Sequence, residues 1–198
     1  MHERLEACGD AYPGEIRTTP PEPPTQESSR VSILTGGRCR GEKVDEVTVG
    51  AYWRAYLATL PNDSPVGDES YEAWSFGDGP AMADELGALV LAGQKTATCS
   101  ALWELEAEGE TVARSGEKSI VLGGSGEPLC IIETTEVTVR RFDEVDEAFA
   151  RKEGEGDRSL EYWRGAHRDF FARTLPEIGR QFTEDMPLVC ERFRVIYR

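Results

Sequence analysis

The 198-residue chain is 39% hydrophobic and 30% charged, a balance that suits one globular domain with its own core plus an extension. No apolar run approaches the roughly 20 residues that cross a bilayer, so a membrane-spanning helix is excluded and no membrane partner is expected. A formal net charge of −15, from 37 acidic and 22 basic residues, repels phosphate backbones and argues against binding of duplex DNA.

Taken in chain order, the first 45 residues read as a disordered or poorly ordered extension. Thr18 to Ser29 holds four prolines and no large apolar side chain, too little to offset the entropy of ordering it. The opening Met-His-Glu-Arg-Leu-Glu has no apolar stretch and does not read as a secretory signal. The five cysteines, Cys8, Cys39, Cys99, Cys130 and Cys190, form no C-x-x-C pair; reduced thiols in a cytoplasmic protein are expected, not a disulfide framework or a zinc site.

Residues 46–69 read as a helix and loop packed on the domain. Val49, Tyr52, Trp53, Tyr56, Leu57 and Leu60 recur at spacings of three and four until Pro61. After the aromatic pair of Trp74 and Phe76 comes a second helix. Asp78 or Gly79 can cap it, Pro80 suits its first position, and Gly93 can end it in a left-handed turn. Its buried stripe is Met82, Leu86, Leu89 and Val90.

Thr96 to Leu105 continues amphipathically through Leu102, Trp103 and Leu105. Two strands follow, Lys118 to Leu122 and Leu129 to Val139, joined by the turn Gly123-Gly124-Ser125-Gly126. A short helix is expected over Asp143 to Lys152, with Val145, Ala148 and Phe149 inward. A stronger helical stripe comprises Leu160, Trp163, His167, Phe170 and Phe171. The chain closes on a strand, Leu188 to Tyr197, that alternates Val189, Phe193, Val195 and Tyr197. Helices interrupting mostly antiparallel strands indicate an α+β fold, with a small barrel as one form.

Lys95 is conspicuous: it is the lone basic residue between Ala55 and Ala113, a stretch with eleven acidic ones. It reads either as a solvated cation or as a lysine partly desolvated in a cleft. In a cleft, burial would depress its pKa and let it act as a base. Thr98, three residues on, shares a face with Lys95 only if the backbone turns or bulges between them.

The run Glu153-Gly154-Glu155-Gly156-Asp157 allows unusual backbone angles and close ligand approach. It reads as a polar loop with a functional glutamate more readily than as a divalent-cation site. His167, on an apolar stripe, reads as a core or rim residue. Trp74, Trp103 and Trp163 read as core or cleft wall.

Five motifs in order resemble the larger ASCH-domain proteins, of PUA-like fold. They are G-Q-K-T-A-T at Gly93 to Thr98, S-A-L-W-E-L-E from Ser100, F-A-R-K-E-G-E-G-D at Phe149 to Asp157, S-L-E-Y-W-R-G-A-H-R-D-F-F at Ser159 to Phe171, and the closing strand. The resemblance spans residues 70–198. It implies a small, mostly antiparallel barrel with surrounding helices and a cleft holding the lysine and threonine.

Family roles include RNA binding and ribonuclease activity, and small members hydrolyse cytidines acylated on the exocyclic amine. Carried over, the resemblance implies Lys95 as base, Thr98 as nucleophile and Glu153 as the group that orients Lys95 or protonates the leaving amine. It further implies Trp74, Phe76, Ser100, Glu155 and Arg164 as substrate-binding residues. No metal or other cofactor is implied, and the partner is a nucleoside or nucleotide, or RNA. Small members carry an arginine two residues past the threonine, where this chain has Ser100; Arg164 or Arg168 are the substitutes the sequence offers. The alternative to hydrolysis is a non-catalytic nucleotide- or RNA-binding module.

Overall fold

The computed structural model of the protein describes residues 32–33, 45–61 and 71–198. The expected extension over 1–45 and the loop within 46–69 therefore lie almost wholly outside the described residues. The elements, in order, are β1 (Ser32–Ile33), α1 (Glu46–Leu57), β2 (Glu72–Trp74), α2 (Pro80–Leu91), β3 (Ala97–Ala101) and α3 (Leu102–Glu108). They continue with β4 (Lys118–Leu122), β5 (Pro128–Arg141), α4 (Glu147–Glu153), α5 (Leu160–Thr174) and β6 (Pro187–Tyr197). None of the described helices is long and apolar enough to cross a membrane.

The strands form one sheet in the order β1-β2-β4-β5-β6-β3, curled into a half-barrel in the α+β, PUA-like manner that the resemblance implies. The three pairs β3–β6, β4–β5 and β5–β6 are antiparallel, and β1–β2 and β2–β4 are parallel. Register shifts interrupt β5 between Ile131 and Ile132 and between Thr134 and Glu136. Such bulges bend a strand and raise its twist, which helps a short sheet to curl.

Both faces of the sheet are covered, so successive strand residues enter different cores. Ile120 and Leu122 meet Val49, Trp53 and Tyr56 of α1 on one face. Val121 between them meets Leu86 and Val90 of α2 on the other, with Trp74 and Phe193. A third core joins Ala97 and Ala101 of β3 and Leu188 and Cys190 of β6 to Phe149 of α4 and Trp163 and Phe171 of α5. Each large side chain fully buried in this way contributes about 1.5–3 kcal/mol.

Three expectations need correction. Helix α4 begins at Glu147, because Val145 is extended and the Asp146 side chain caps Phe149 N; Phe142–Glu144 is a separate 3-10 turn, and Ala148 faces solvent. Strand β5 runs further at both ends, from Pro128 to Arg141. Strand β6 forms where expected, but Leu188, Val189, Cys190 and Glu191 are all buried, so one-faced alternation is absent from its first half, which lies between β5 and β3; beyond it, Phe193 is buried and Arg194 exposed.

Candidate active site

Helix α2 opens at Gly79 and Pro80 as its sequence suggests. Past its end, Gly93 adopts φ +72, a left-handed angle at which L side chains are strained. The turn brings the amides of both Gln94 and Lys95 onto the Leu89 carbonyl, at 2.9 and 3.1 Å. The next amide, Thr96 N, donates 2.8 Å to the carbonyl of Lys152 at the end of α4. Gln94 Nε2 donates 2.5 Å to the Gly154 carbonyl. The segment after α2 is thus tied to the end of α4 by one backbone and one side-chain amide.

Gly154 makes that junction possible. It closes α4 at φ +77, and a Cβ there would lie 2.5 Å from the Gln94 carbonyl oxygen. Gly154→Ala is expected to destabilise the fold by roughly 1–3 kcal/mol from the left-handed backbone alone, with the clash adding to it. A urea midpoint equal to that of the unmodified protein would contradict this account of the junction.

With the helix ends locked, Glu153 and Glu155 converge on Lys95. Nζ lies 2.6 Å from Glu153 Oε2 and 2.7 Å from Glu155 Oε1, with Lys95 and Glu153 each only 1% exposed. Burial favours the neutral amine, but attraction and hydrogen bonds from the two carboxylates outweigh it and raise the Lys95 pKa above its ordinary 10.5. The expectation of a lysine depressed by burial is therefore overturned: Lys95 rests as an ammonium. For Glu153, burial pushes toward the acid form, yet Lys95, His167 and a hydrogen bond from Trp163 hold its pKa below 4.5.

The second oxygen of Glu153 has partners of its own. Trp163 Nε1 donates to Oε1 over 3.3 Å. The His167 ring stacks on Trp163 with centroids 4.3 Å apart and places Nε2 3.6 Å from the same oxygen. Burial first, and the nearby Glu153 carboxylate second, hold the Cys99 thiol pKa well above the ordinary value. Cys99 is thereby a protonated thiol at neutral pH, unsuited to nucleophilic attack.

Lys95, Cys99, Glu153 and His167 line a cleft with a cavity volume of about 120 Å³ that opens to solvent. Trp74 and Phe76, in edge contact at 4.6 Å, line it, and the Phe76 ring centroid is 5.2 Å from Lys95 Nζ. Thr98 and Ser100 on β3 also line it, as does Glu155. Lys95 precedes the strand, so it and Thr98 reach one cavity despite the strand alternation beyond.

Arg164 does not line this cleft; its Nη2 donates 3.2 Å to the Asp143 carbonyl. Nor do the three carboxylates of the glycine-spaced run converge on a cation position. Two of them bind Lys95, and Asp157 Oδ1 accepts from Ser159 N at 2.8 Å.

Sequence reasoning left three titratable cleft residues out of the site: Cys99, Glu104 and His167. The carboxyl of Glu104 is pushed up, chiefly by burial. For His167 a signal existed: it stands four residues after Trp163 and so on the same helical face. Nothing local marks Cys99 or Glu104.

Comparison with known proteins accords with this architecture. The family model described as ASCH domain matches residues 72–197. The crystal structure of an ASCH domain from Lactobacillus crispatus JV V101 is 37% identical, with a TM-score of 0.73 over 77% of this chain and 96% of that one. A crystal structure of a protein from Enterococcus faecalis V583 is also 37% identical, with a TM-score of 0.67 over 76% of this chain and 89% of that one. No curated protein matches the chain.

Proposed function

The protein belongs to the ASCH-domain family, and from that premise we propose that its cleft hydrolyses the amide of an acylated, cytidine-like nucleoside through Lys95, Thr98 and Glu153. The observation that carries the reading is the buried Lys95–Glu153 pair, 2.6 Å apart at the base of a cleft that Thr98 also lines.

The resting ion pair is not yet a base. Burial, the largest influence on both groups, pulls each toward its neutral form. A bound substrate that covers the cleft and draws Glu155 away from Nζ strengthens that pull. The proton then shifts across the short hydrogen bond to Glu153, and Lys95 becomes a free amine. It takes the Thr98 hydroxyl proton as Thr98 Oγ attacks the acyl carbonyl. The C–N bond breaks, and the leaving exocyclic amine takes the proton held by Glu153. Water then cleaves the acyl-threonine ester, releasing a carboxylic acid and restoring Thr98.

Trp74 and Phe76 offer flat apolar surface for a base ring. A small, weakly charged nucleoside also enters an acidic protein more readily than a polyanion does. The test is a panel of acylated nucleosides and short RNAs, with Lys95→Ala as control. Release of the carboxylic acid from an acylated cytidine, lost in Lys95→Ala, is the expected result. A salt-dependent RNA shift with no turnover of any acylated nucleoside would replace the reading with that of a binding module.

A further inference from the structure

The geometry points to a binding site for a divalent cation of the zinc class, held by Cys99 Sγ, Glu153 Oε1 and His167 Nε2, with its fourth position open to the cleft. The three donor atoms lie within 4.8 Å of one another. Tetrahedral zinc with bonds of about 2.0–2.3 Å spaces its ligand atoms roughly 3.3–3.7 Å apart. The His167–Glu153 separation of 3.6 Å already falls there, and Cys99 Sγ lies within 4.8 Å of both donor atoms.

The tautomer of His167 is a separate indication. Its Nδ1 is 3.0 Å from the Trp163 carbonyl oxygen. A carbonyl only accepts, so Nδ1 carries the proton, and Nε2 is the nitrogen turned toward the Glu153 carboxylate, 3.6 Å away. A histidine whose Nδ1–H is anchored to a backbone carbonyl, with Nε2 directed at the other donor atoms, has the orientation metal-ligating histidines use.

Donor chemistry agrees. A sulfur, a nitrogen and an oxygen ligand suit a borderline cation such as Zn²⁺, where magnesium and calcium prefer oxygen alone. On binding, the Cys99 S–H bond breaks, the S–metal bond forms and the proton leaves to solvent. Lys95 keeps the other oxygen, Oε2, so the ion sits beside the Lys95–Glu153 pair and does not displace it. The cation site stands whether or not the cleft hydrolyses an amide.

The test uses the full chain and the metal alone. Calorimetric titration with Zn²⁺ is expected to give one tight equivalent, with about one proton released per ion as judged from buffers of different ionisation enthalpy. Titration with Co²⁺ is expected to show the near-ultraviolet sulfur-to-cobalt charge-transfer band. Cys99→Ser and His167→Gln are each expected to weaken zinc binding at least tenfold, while Cys130→Ser, in a different core, leaves it unchanged. Absence of the cobalt–sulfur band in the unmodified protein would overturn the site without recourse to any variant. So would zinc affinity unaffected by both ligand substitutions.

Discussion

Replacing Lys95 by methionine is expected to lower the unfolding free energy by about 3–5 kcal/mol at neutral pH, the usual cost of removing one partner from a buried ion pair. Methionine keeps most of the length and none of the charge, so Glu153 stays buried without its cation. The deficit depends on pH. The folded Glu153 carboxyl sits below its ordinary 4.5 because Lys95, with His167 and Trp163, outweighs burial. Its ionic contribution is therefore complete above the unfolded value and is lost as the pH falls through the folded one.

Without Lys95, burial meets weaker opposition, and folding draws a proton onto Glu153 at a higher pH. The gap between the two proteins is thus widest near neutrality and narrows in acid. On the alkaline side, the Lys95 contribution is complete below 10.5 and is lost only as the pH rises through its raised folded value. Urea titrations at about pH 4 and about pH 7 measure the difference; a gap that stays constant between them would mean that the pair does not govern the deficit.

Glu153→Ala is expected to reduce amide turnover by at least about 10²-fold, the lower range for loss of a general acid–base group. Glu155→Gln is expected to cost less than about tenfold on the same scale, because the Glu155 side chain is 21% exposed and water can take its place at Nζ. Glu153→Gln separates chemistry from packing. Its amide oxygen can still accept from Lys95, but its NH₂ group then meets the Trp163 Nε1–H donor. Leaving that buried donor unmatched costs about 1–3 kcal/mol, which a thermal melt reads. Turnover that survives in both Lys95→Ala and Glu153→Ala would eliminate the proposed mechanism.

Local rules carried far along this chain where one segment supplies all the partners. Helix α2 starts at Pro80 and gives way to a left-handed Gly93 as its residues imply, since caps and glycine angles are decided within a few positions. The helical stripe of α5 is legible for the same reason. Helix α4 was misread at its start because an apolar residue, Val145, packs into the core from an extended backbone; periodicity counts burial and does not see dihedral angles. The pattern in β6 failed over Leu188 to Glu191 because alternation presupposes one solvated face, and that half of the strand has none.

The residues of the site were partly visible too. Lys95 stands out as a lone cation in an acidic stretch, and the motifs around it identify the family. What composition and spacing left undecided was the sign of its pKa shift. Burial alone predicts a depressed amine; the answer reversed because two carboxylates 58 and 60 positions away meet the same nitrogen. The places of Cys99 and His167 beside Glu153 belong to the same category, since β3, α4 and α5 each bring one side chain to the cluster. The sequence by itself determined the family, the principal helices and the prominence of Lys95, because these rest on interactions between near neighbours. Its protonation state and the grouping of thiol, imidazole and carboxylate were decided by tertiary structure, because electrostatic energies depend on distances of a few ångströms that only the packing of distant segments sets.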